Sequence, residues 1–472
     1  MYRILIWAIL GLWLGWIWGT TARTQAKESF FQQALHLLSQ QPGVTVGVSL
    51  RDLKTGELLA EANGSKRLIP ASTMKLLVTS YAMSHFPADQ RWTTQLFLSP
   101  EANQASSLII VGSGDPTLGS SRIAGNLDLE EILRDITQAI QKAGIRKIKT
   151  LSVNTHALPI EPIPWSWAYD DIGNYFGAPI RALNIADNRY GLTFQPGVVG
   201  AKAEILEITP NLNWIQFENL MRTGAAGSGD NGYIFGVPEV NQRWLRGTIP
   251  AGDPFTIYGS MPDPVDAFLR LLRQQLIKGG ITVDEIRQDP HPFTDSNASI
   301  LWQHHSPPLL SIIQEIHETS FNLYADALLA LTSQHLAQPE RVQDWGTATD
   351  YEQTWLTQAG IQGFSLKDGS GLSPRNLVTA NGLTQLLVLD YQKPWWQDYL
   401  QTLSIRHNPN LPAGTIRGKT GFISGIRSLS GVIQTESGRS LAFSILINHF
   451  EGNLAAIDAA IDQFLTSIWR SY

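Results

Sequence analysis

Three short polar motifs, Ser72-Thr73-Met74-Lys75, Ser320-Phe321-Asn322 and Lys419-Thr420-Gly421, stand in one order along the chain at very unequal spacing. Ser72 to Ser320 is 248 positions, whereas Ser320 to Lys419 is only 99. A fold that unites them must join a helix near the first, a loop near the second and a strand near the third. Residues three apart on a helix share a face, with Cβ atoms about 5–6 Å apart, so the Lys75 amine can reach the Ser72 hydroxyl. Pro70-Ala71-Ser72 followed by Met74, Leu77, Val78, Tyr81 and Ala82 predicts a helix starting at or beside the serine with one face buried.

That placement has chemical consequences. A serine hydroxyl is a weak nucleophile near neutral pH and needs a neighbour to take its proton. At a helix N-terminus its own N–H is unpaired, and the positive dipole end favours an oxyanion, as acyl transfer requires. Lysine serves as the base only if desolvation and nearby positive charge lower its pKa, and Lys419 is the candidate second cation. Taken alone, Ser72 reads equally well as an N-cap and Lys75 as a solvated side chain. The third motif shifts the balance by its setting. Thr415 to Gly421 is followed by Ile426–Gln434 and, after a Glu436-Ser437-Gly438 turn, by Leu441–Asn448, which alternates as a sheet hairpin. A strand edge bearing Lys and Thr can clamp a substrate backbone and its terminal carboxylate.

The wider sequence resembles the penicillin-recognising serine D-Ala-D-Ala carboxypeptidases and endopeptidases of low molecular mass with a large insertion, class C. The resemblance runs over nearly the whole chain beyond the leader. It rests on Ile69-Pro70-Ala71-Ser72-Thr73-Met74-Lys75, Gly112-Ser113-Gly114-Asp115-Pro116-Thr117-Leu118, Asp368-Gly369-Ser370-Gly371-Leu372-Ser373, and Gly418 to Gly421 continuing through Ser424-Gly425 to Ser428-Leu429-Ser430-Gly431. It implies an α/β fold: a β-lactamase/transpeptidase-like catalytic domain, an antiparallel sheet flanked by helices, with a large β-rich inserted region. It implies Ser72, Lys75, Ser320 and Asn322 as catalytic residues. Ser72 attacks and Lys75 takes its proton, Ser320 relays a proton to the leaving amine, and Asn322 orients Lys75 and the substrate amide. Lys419, Thr420 and Gly421 hold the substrate, and the backbone N–H groups of Ser72 and Phe422 hold the oxyanion. The implied partners are peptidoglycan stem peptides and β-lactam antibiotics, with no cofactor.

Two departures stand out. Relatives usually carry Thr or Ser where this chain has Phe422, so a hydroxyl able to bind the carboxylate is lost while the backbone donor stays. The usual Ser-Arg-x-Asn reads Ser373-Pro374-Arg375-Asn376, which shifts Arg375 by one and weakens its substrate role. A non-catalytic, penicillin-binding wall scaffold and a β-lactamase-like hydrolase therefore stand as alternatives. Retained penicillin labelling without peptide turnover marks the first, and rapid release of hydrolysed penicillin the second.

Composition agrees with an exported enzyme. The 472 residues include no cysteine, which excludes disulfides, thiolate chemistry and cysteine metal sites. A net charge of −6 gives no sign of a nucleic-acid surface. Ten histidines are scattered without a His-Glu-x-x-His helix, so no metal is expected. Gly112-Ser113-Gly114 lacks the third glycine of a nucleotide loop and is followed by Pro116. The apolar run Ile4–Trp18, extending to Ala22, reads as a signal sequence or as an N-terminal membrane anchor, either of which places the body in the periplasm or cell envelope. The sequence leaves the oligomeric state open.

One core stops growing near ~250–300 residues, so this length implies more than one domain. The expected boundaries are 1–27 for the signal or anchor, 28–91 for the first part of the catalytic domain, 92–288 for the insertion and 289–472 for the second catalytic part. Helices are expected at Leu129–Ala143 and Val265–Gly279, through Ile312, Ile313 and Ile316, and from Asn453 to Trp469, where Ile457, Ile461, Phe464, Leu465 and Ile468 form one stripe. Trp165, Trp167 and Tyr169 read as packing within the insertion, with a sugar-stacking patch as the alternative.

Overall fold

The computed structural model describes residues 43–99, 106–338 and 340–472, together with Gln32, Leu35, His36, Leu38 and Ser39. The leader within residues 1–27 lies outside the described residues. Among the described residues no helix is long and apolar enough to cross a membrane. The chain forms two compact units, one of Met1–Thr73, Ile361–Phe364 and Leu377–Tyr472, the other of Met74–Gly360 and Ser365–Asn376.

The first unit is built on a six-stranded sheet in the order Ser404–Ile405, Ile416–Ile423, Ile426–Gln434, Ser440–Asn448, Thr45–Asp52, Leu58–Ala62. Every neighbouring pair is antiparallel. The alternation of Thr45–Asp52 explains its two-sided packing. Val46, Val48 and Leu50 share a core cluster with Leu441, Phe443 and Ile445 and with Ile457, Ile461, Phe464, Leu465 and Ile468 of the C-terminal helix Leu454–Ser471. On the opposite face Ser49 meets Thr384 of the helix Ala380–Tyr391, with 2.9 Å between hydroxyls. The Asn453 side chain accepts from the Ala455 N–H and so starts the C-terminal helix.

The second unit holds the helix Lys75–His85, the helices Leu309–Thr319, Asn322–Ala337 and Trp345–Gln358, and three further sheets. A mixed five-stranded sheet runs in the order Thr282–Asp289, Lys147–Asn154, Ser106–Val111, Thr93–Ser99, Ser299–His305. A three-stranded antiparallel sheet comprises Phe255–Ser260, Arg189–Gln195 and Glu204–Thr209. In the third, Asn231–Phe235, Gln242–Pro250 and Gln216–Asn219 follow one another, and Arg222–Gly224 also pairs with Gln242–Pro250. One continuous apolar cluster, from Leu96 to Val283, includes residues of all three sheets and of the helices Leu129–Lys142 and Pro264–Lys278. Both helices were expected from periodicity. The second begins one residue earlier than expected because Asp263 caps it through the Val265 N–H and Pro264 occupies the first turn, where no N–H is needed.

Phe464 is fully buried in the first unit's core. Phe464→Ala is expected to destabilise that unit by about 3–5 kcal/mol, read as an earlier denaturation midpoint by circular dichroism. A change under about 1 kcal/mol would contradict the packing described.

Candidate active site

In the first unit, Ser72 lies in a 3-10 turn, Ala71–Met74, that leads directly into the helix Lys75–His85. Its neighbour Ala71 is buried with φ at 47°, a left-handed conformation costly for any residue with a Cβ. The surroundings hold it there. Ser428 donates its hydroxyl to the Pro70 carbonyl at 2.5 Å, and Thr73 Oγ1 donates to the same oxygen at 2.8 Å. Asn448 clamps Ile69 twice, accepting its N–H at 2.8 Å and donating to its carbonyl at 3.0 Å. Two central strands of the sheet thus fix the chain immediately before Ser72.

The strand Ile416–Ile423 carries the third motif against this turn. A Cβ on Gly421 would lie 2.8 Å from the Ser72 nitrogen, 2.7 Å from the Pro70 carbonyl and 2.3 Å from Ser428 Oγ, so only glycine allows the approach. Lys419 is buried and donates to the Thr420 carbonyl at 3.1 Å. Phe422 is 52% exposed. Its cross-strand partner Arg427 is engaged by Asp458, at 2.7 Å.

The second unit presents a buried amine. Lys75 has no solvent exposure, and its Nζ donates to Asn322 Oδ1 at 2.8 Å and to the Ser370 carbonyl at 2.6 Å. Asn322 is oriented for this by donating its own Nδ2 to the Phe176 carbonyl at 2.9 Å. Burial lowers the Lys75 pKa to about 8, opposed by the charges of Asp326 and Asp368. Asp326 moves the other way, pushed up by burial and by Asp368 and held back by Lys75. Its Oδ1 accepts the N–H groups of Gly369 and Ser370, at 2.8 and 2.9 Å. Asp368 accepts from Gly371, Ser373, Asn376 and the Trp167 indole. The Ser370 carbonyl under Lys75 is therefore held from both sides.

Ser320 caps the helix Leu309–Thr319 at φ 63° and ψ 29°, again left-handed. That turn is pinned by Phe321, whose ring lies 3.9 Å from the Arg122 guanidinium. Arg122 is itself anchored by Asp187 at 2.9 Å and Glu315 at 3.2 Å.

Ser72 and the Lys419 motif meet within the first unit, and Lys75 and Asn322 within the second. The Arg375 guanidinium lies over the Trp165 ring, 5.4 Å from its centroid, and its backbone N–H donates to Ser373 Oγ at 3.2 Å. Packing accounts for Trp167, but Trp165 and Tyr169 are 71% and 60% exposed. Sequence reasoning gave no role to Asp326, Asp368, Ser370, Ser428 or Asn448. A signal existed for Asp326, which follows Asn322 by one helical turn and shares its face.

A serine beginning a helix, a buried lysine held by an asparagine, and a Lys-Thr-Gly strand on an antiparallel sheet define a serine acyl-transfer enzyme of the β-lactamase/transpeptidase-like fold. The chain belongs to the D-Ala-D-Ala carboxypeptidase 3 (S13) family, which matches residues 31–468, and is accordingly a serine D,D-peptidase, a hydrolase. It is 27% identical over 441 residues to a D-alanyl-D-alanine carboxypeptidase of Actinomadura sp., covering 87% of this chain and 79% of that one. It is 25% identical over 443 residues to the D-alanyl-D-alanine carboxypeptidase DacB of Haemophilus influenzae, covering 86% of each. The crystal structure of penicillin binding protein 4 (dacB) from Haemophilus influenzae shares the fold, with a TM-score of 0.75 at 23% identity over 92% of this chain and 97% of that one.

Two outcomes test this geometry. Asp326→Asn removes the carboxylate whose charge, where ionised, raises the Lys75 pKa, so the acid limb of the acylation rate should move to lower pH. An unmoved limb would dissociate the limb from Lys75. Gly421→Ala should cut the rate of penicillin acylation by about 100-fold or more, because misplacing the strand by even ~1 Å at the reacting centre costs that much. Acylation at the wild-type rate would contradict the close approach.

Proposed function

We propose that Ser72 is the nucleophile and Lys75 its general base in hydrolysis of the D-Ala-D-Ala bond of peptidoglycan stem peptides. The observation that carries this reading is the buried Lys75 amine, lowered toward neutrality and aimed by Asn322 and the Ser370 carbonyl. A neutral amine can take the Ser72 proton as Oγ attacks the scissile carbonyl. The N–H groups of Ser72 and Phe422 hold the resulting oxyanion, a role supported by the glycine contact between their strand and turn. Ser320 passes the proton to the departing D-Ala amine, and Asn322 orients the substrate amide. Lys419 and Thr420 bind the carboxylate end, with Gly421 allowing the approach and Arg375 at the margin of the site. Water then cleaves the Ser72 ester.

With a free stem peptide this chemistry is carboxypeptidase activity, and with a cross-linked one it is endopeptidase activity. β-Lactams acylate Ser72 because their strained amide imitates the scissile bond. Phe422 removes a hydroxyl that would tie recognition to a free carboxylate, so cross-linked peptides are accepted as well. The region 92–288 is an accessory insertion in a discontinuous catalytic domain, 28–91 and 289–472, and its own apolar cluster supports that division. The apolar leader supports export to the cell envelope, by a signal sequence or an anchor in residues 1–27.

The test is labelling of the purified protein by a fluorescent penicillin, with intact mass followed over time, beside Ser72→Ala. A long-lived adduct on the parent and none on the variant is expected, together with release of D-Ala from stem pentapeptides. Absence of an adduct at saturating drug would overturn the assignment of Ser72. Labelling without turnover would favour a wall scaffold.

A further inference from the structure

The strand Asn231–Phe235 is the edge of the four-stranded sheet, and its alternation puts Tyr233 and Phe235 on one face with Ile234 buried beneath. The register places Arg246 opposite Tyr233 and Trp244 opposite Phe235 on the neighbouring strand. Glu218 in turn stands opposite Trp244 on the third. Cross-strand partners share a face, so Tyr233, Phe235, Trp244, Arg246 and Glu218 form one outward surface. Tyr169 extends it. Its ring stacks on Phe235 with centroids 5.6 Å apart and planes at 26°, while Tyr233 lies 6.2 Å from Phe235 at 28°. Tyr169 and Tyr233 are 60% and 44% exposed, and Arg246 and Glu218 are exposed as well.

The surface is held rigidly. A Cβ on Gly173 would fall 1.9 Å from the Ile234 carbonyl oxygen, so the backbone after Tyr169 sits directly on the strand. Asn174 Oδ1 accepts the Ile234 N–H at 3.0 Å, and its Nδ2 donates to the Asp170 carbonyl at 2.7 Å. Tyr169 and Tyr233 flank Phe235 in this stack and keep 60% and 44% of their surface in water, and the exposed Arg246 and Glu218 on the same sheet face add both kinds of hydrogen-bonding group. This is what a pyranose needs. Its polarised C–H bonds meet the negative ring face, and its hydroxyl and acetamido groups meet the charged side chains. Glu218, Asp170 and a net charge of −6 oppose a polyanion or an anionic membrane as the occupant.

We propose that this sheet face binds the amino-sugar polymer to which the stem peptides are attached. The inference rests on the peptidase reading, which makes that polymer the carrier of the substrate.

The full chain is titrated with a β-1,4-linked N-acetylglucosamine hexamer and with peptide-free glycan strands, using calorimetry and tryptophan fluorescence. Saturable binding is expected. Tyr169→Ala combined with Tyr233→Ala should weaken it about tenfold, the loss of two aromatic stacking contacts. The double variant should keep penicillin labelling and cleavage of free stem pentapeptide at the parent level while digesting intact sacculi more slowly. Arg246→Glu, on an exposed position, repeats the test should the double variant fold poorly. No saccharide binding at millimolar concentration, or binding unchanged in both variants, would overturn the proposal. Loss of pentapeptide cleavage by the parent chain would sink the peptidase reading instead, and leaves the saccharide titration to judge this face by itself.

Discussion

The constraint on which the second unit's organisation depends is the complete burial of the Lys75 amine. Water is removed from an ammonium only at a cost, and here burial outweighs the charges of Asp326 and Asp368 and lowers the pKa from 10.5 to about 8. The side chain still needs acceptors. Asn322 Oδ1 and the Ser370 carbonyl are two of them, neither of them a carboxylate. Asp326 and Asp368 act one step removed, holding the backbone that presents that carbonyl while their charge limits how far the amine is lowered. Direct ion pairing to either would raise the pKa of the amine, and stronger isolation from water would lower it further.

The first unit solves a different problem, the fixing of a strained turn. Ala71 remains left-handed only because Ser428, Thr73 and Asn448 occupy the carbonyls and N–H on its N-terminal side. Serines on the sheet serve this end. Ser428 and Ser430 stand opposite Gly421 and Lys419 in register, where larger residues would push the strand of the third motif away. Ser430 satisfies its hydroxyl against Ser444 at 2.8 Å, so the small polar face costs no unpaired group. On the other face Val48, Leu50, Phe443 and Ile445 are free to be large, and they carry the packing against the C-terminal helix.

What was legible in the sequence follows from how local each determinant is. The stripe Ile457, Ile461, Phe464, Leu465 and Ile468 is written in one segment, and the helix came out where periodicity put it. The alternation of Ile426–Gln434 and of Leu441–Asn448 was likewise readable as a hairpin, and the two strands pair in full register. The motif residues could be named because their spacing is local. Their supports could not, since the Asn448 clamp joins residues 379 apart and the bond from Lys75 to the Ser370 carbonyl spans 295. Backbone acceptors leave no mark on residue identity at all. Gly421 carried a hidden signal of the same kind: the motif marked it as substrate-binding, whereas its need arises from the Ser72 nitrogen and the Pro70 carbonyl beside it.

The three further sheets of the second unit carry residues that burial explains and residues that it does not. Their inner residues, such as Ile234 and Leu245, are fully buried in the apolar cluster whose buried members run from Leu96 to Val283, and hydrophobic burial explains them. It does not explain Tyr169 and Tyr233, which keep much of their surface in water. Strand preference accounts for an aromatic at Tyr233, but Tyr169 begins the short helix Tyr169–Ile172 and has no such reason to be aromatic. Single exposed aromatics need no account, but two half-exposed tyrosines that both stack on Phe235, beside a glycine contact and an asparagine bridge, are an arrangement that folding alone does not require. The rigidity is the telling part, because ordering a surface ahead of contact lowers the entropy lost when something flat settles on it.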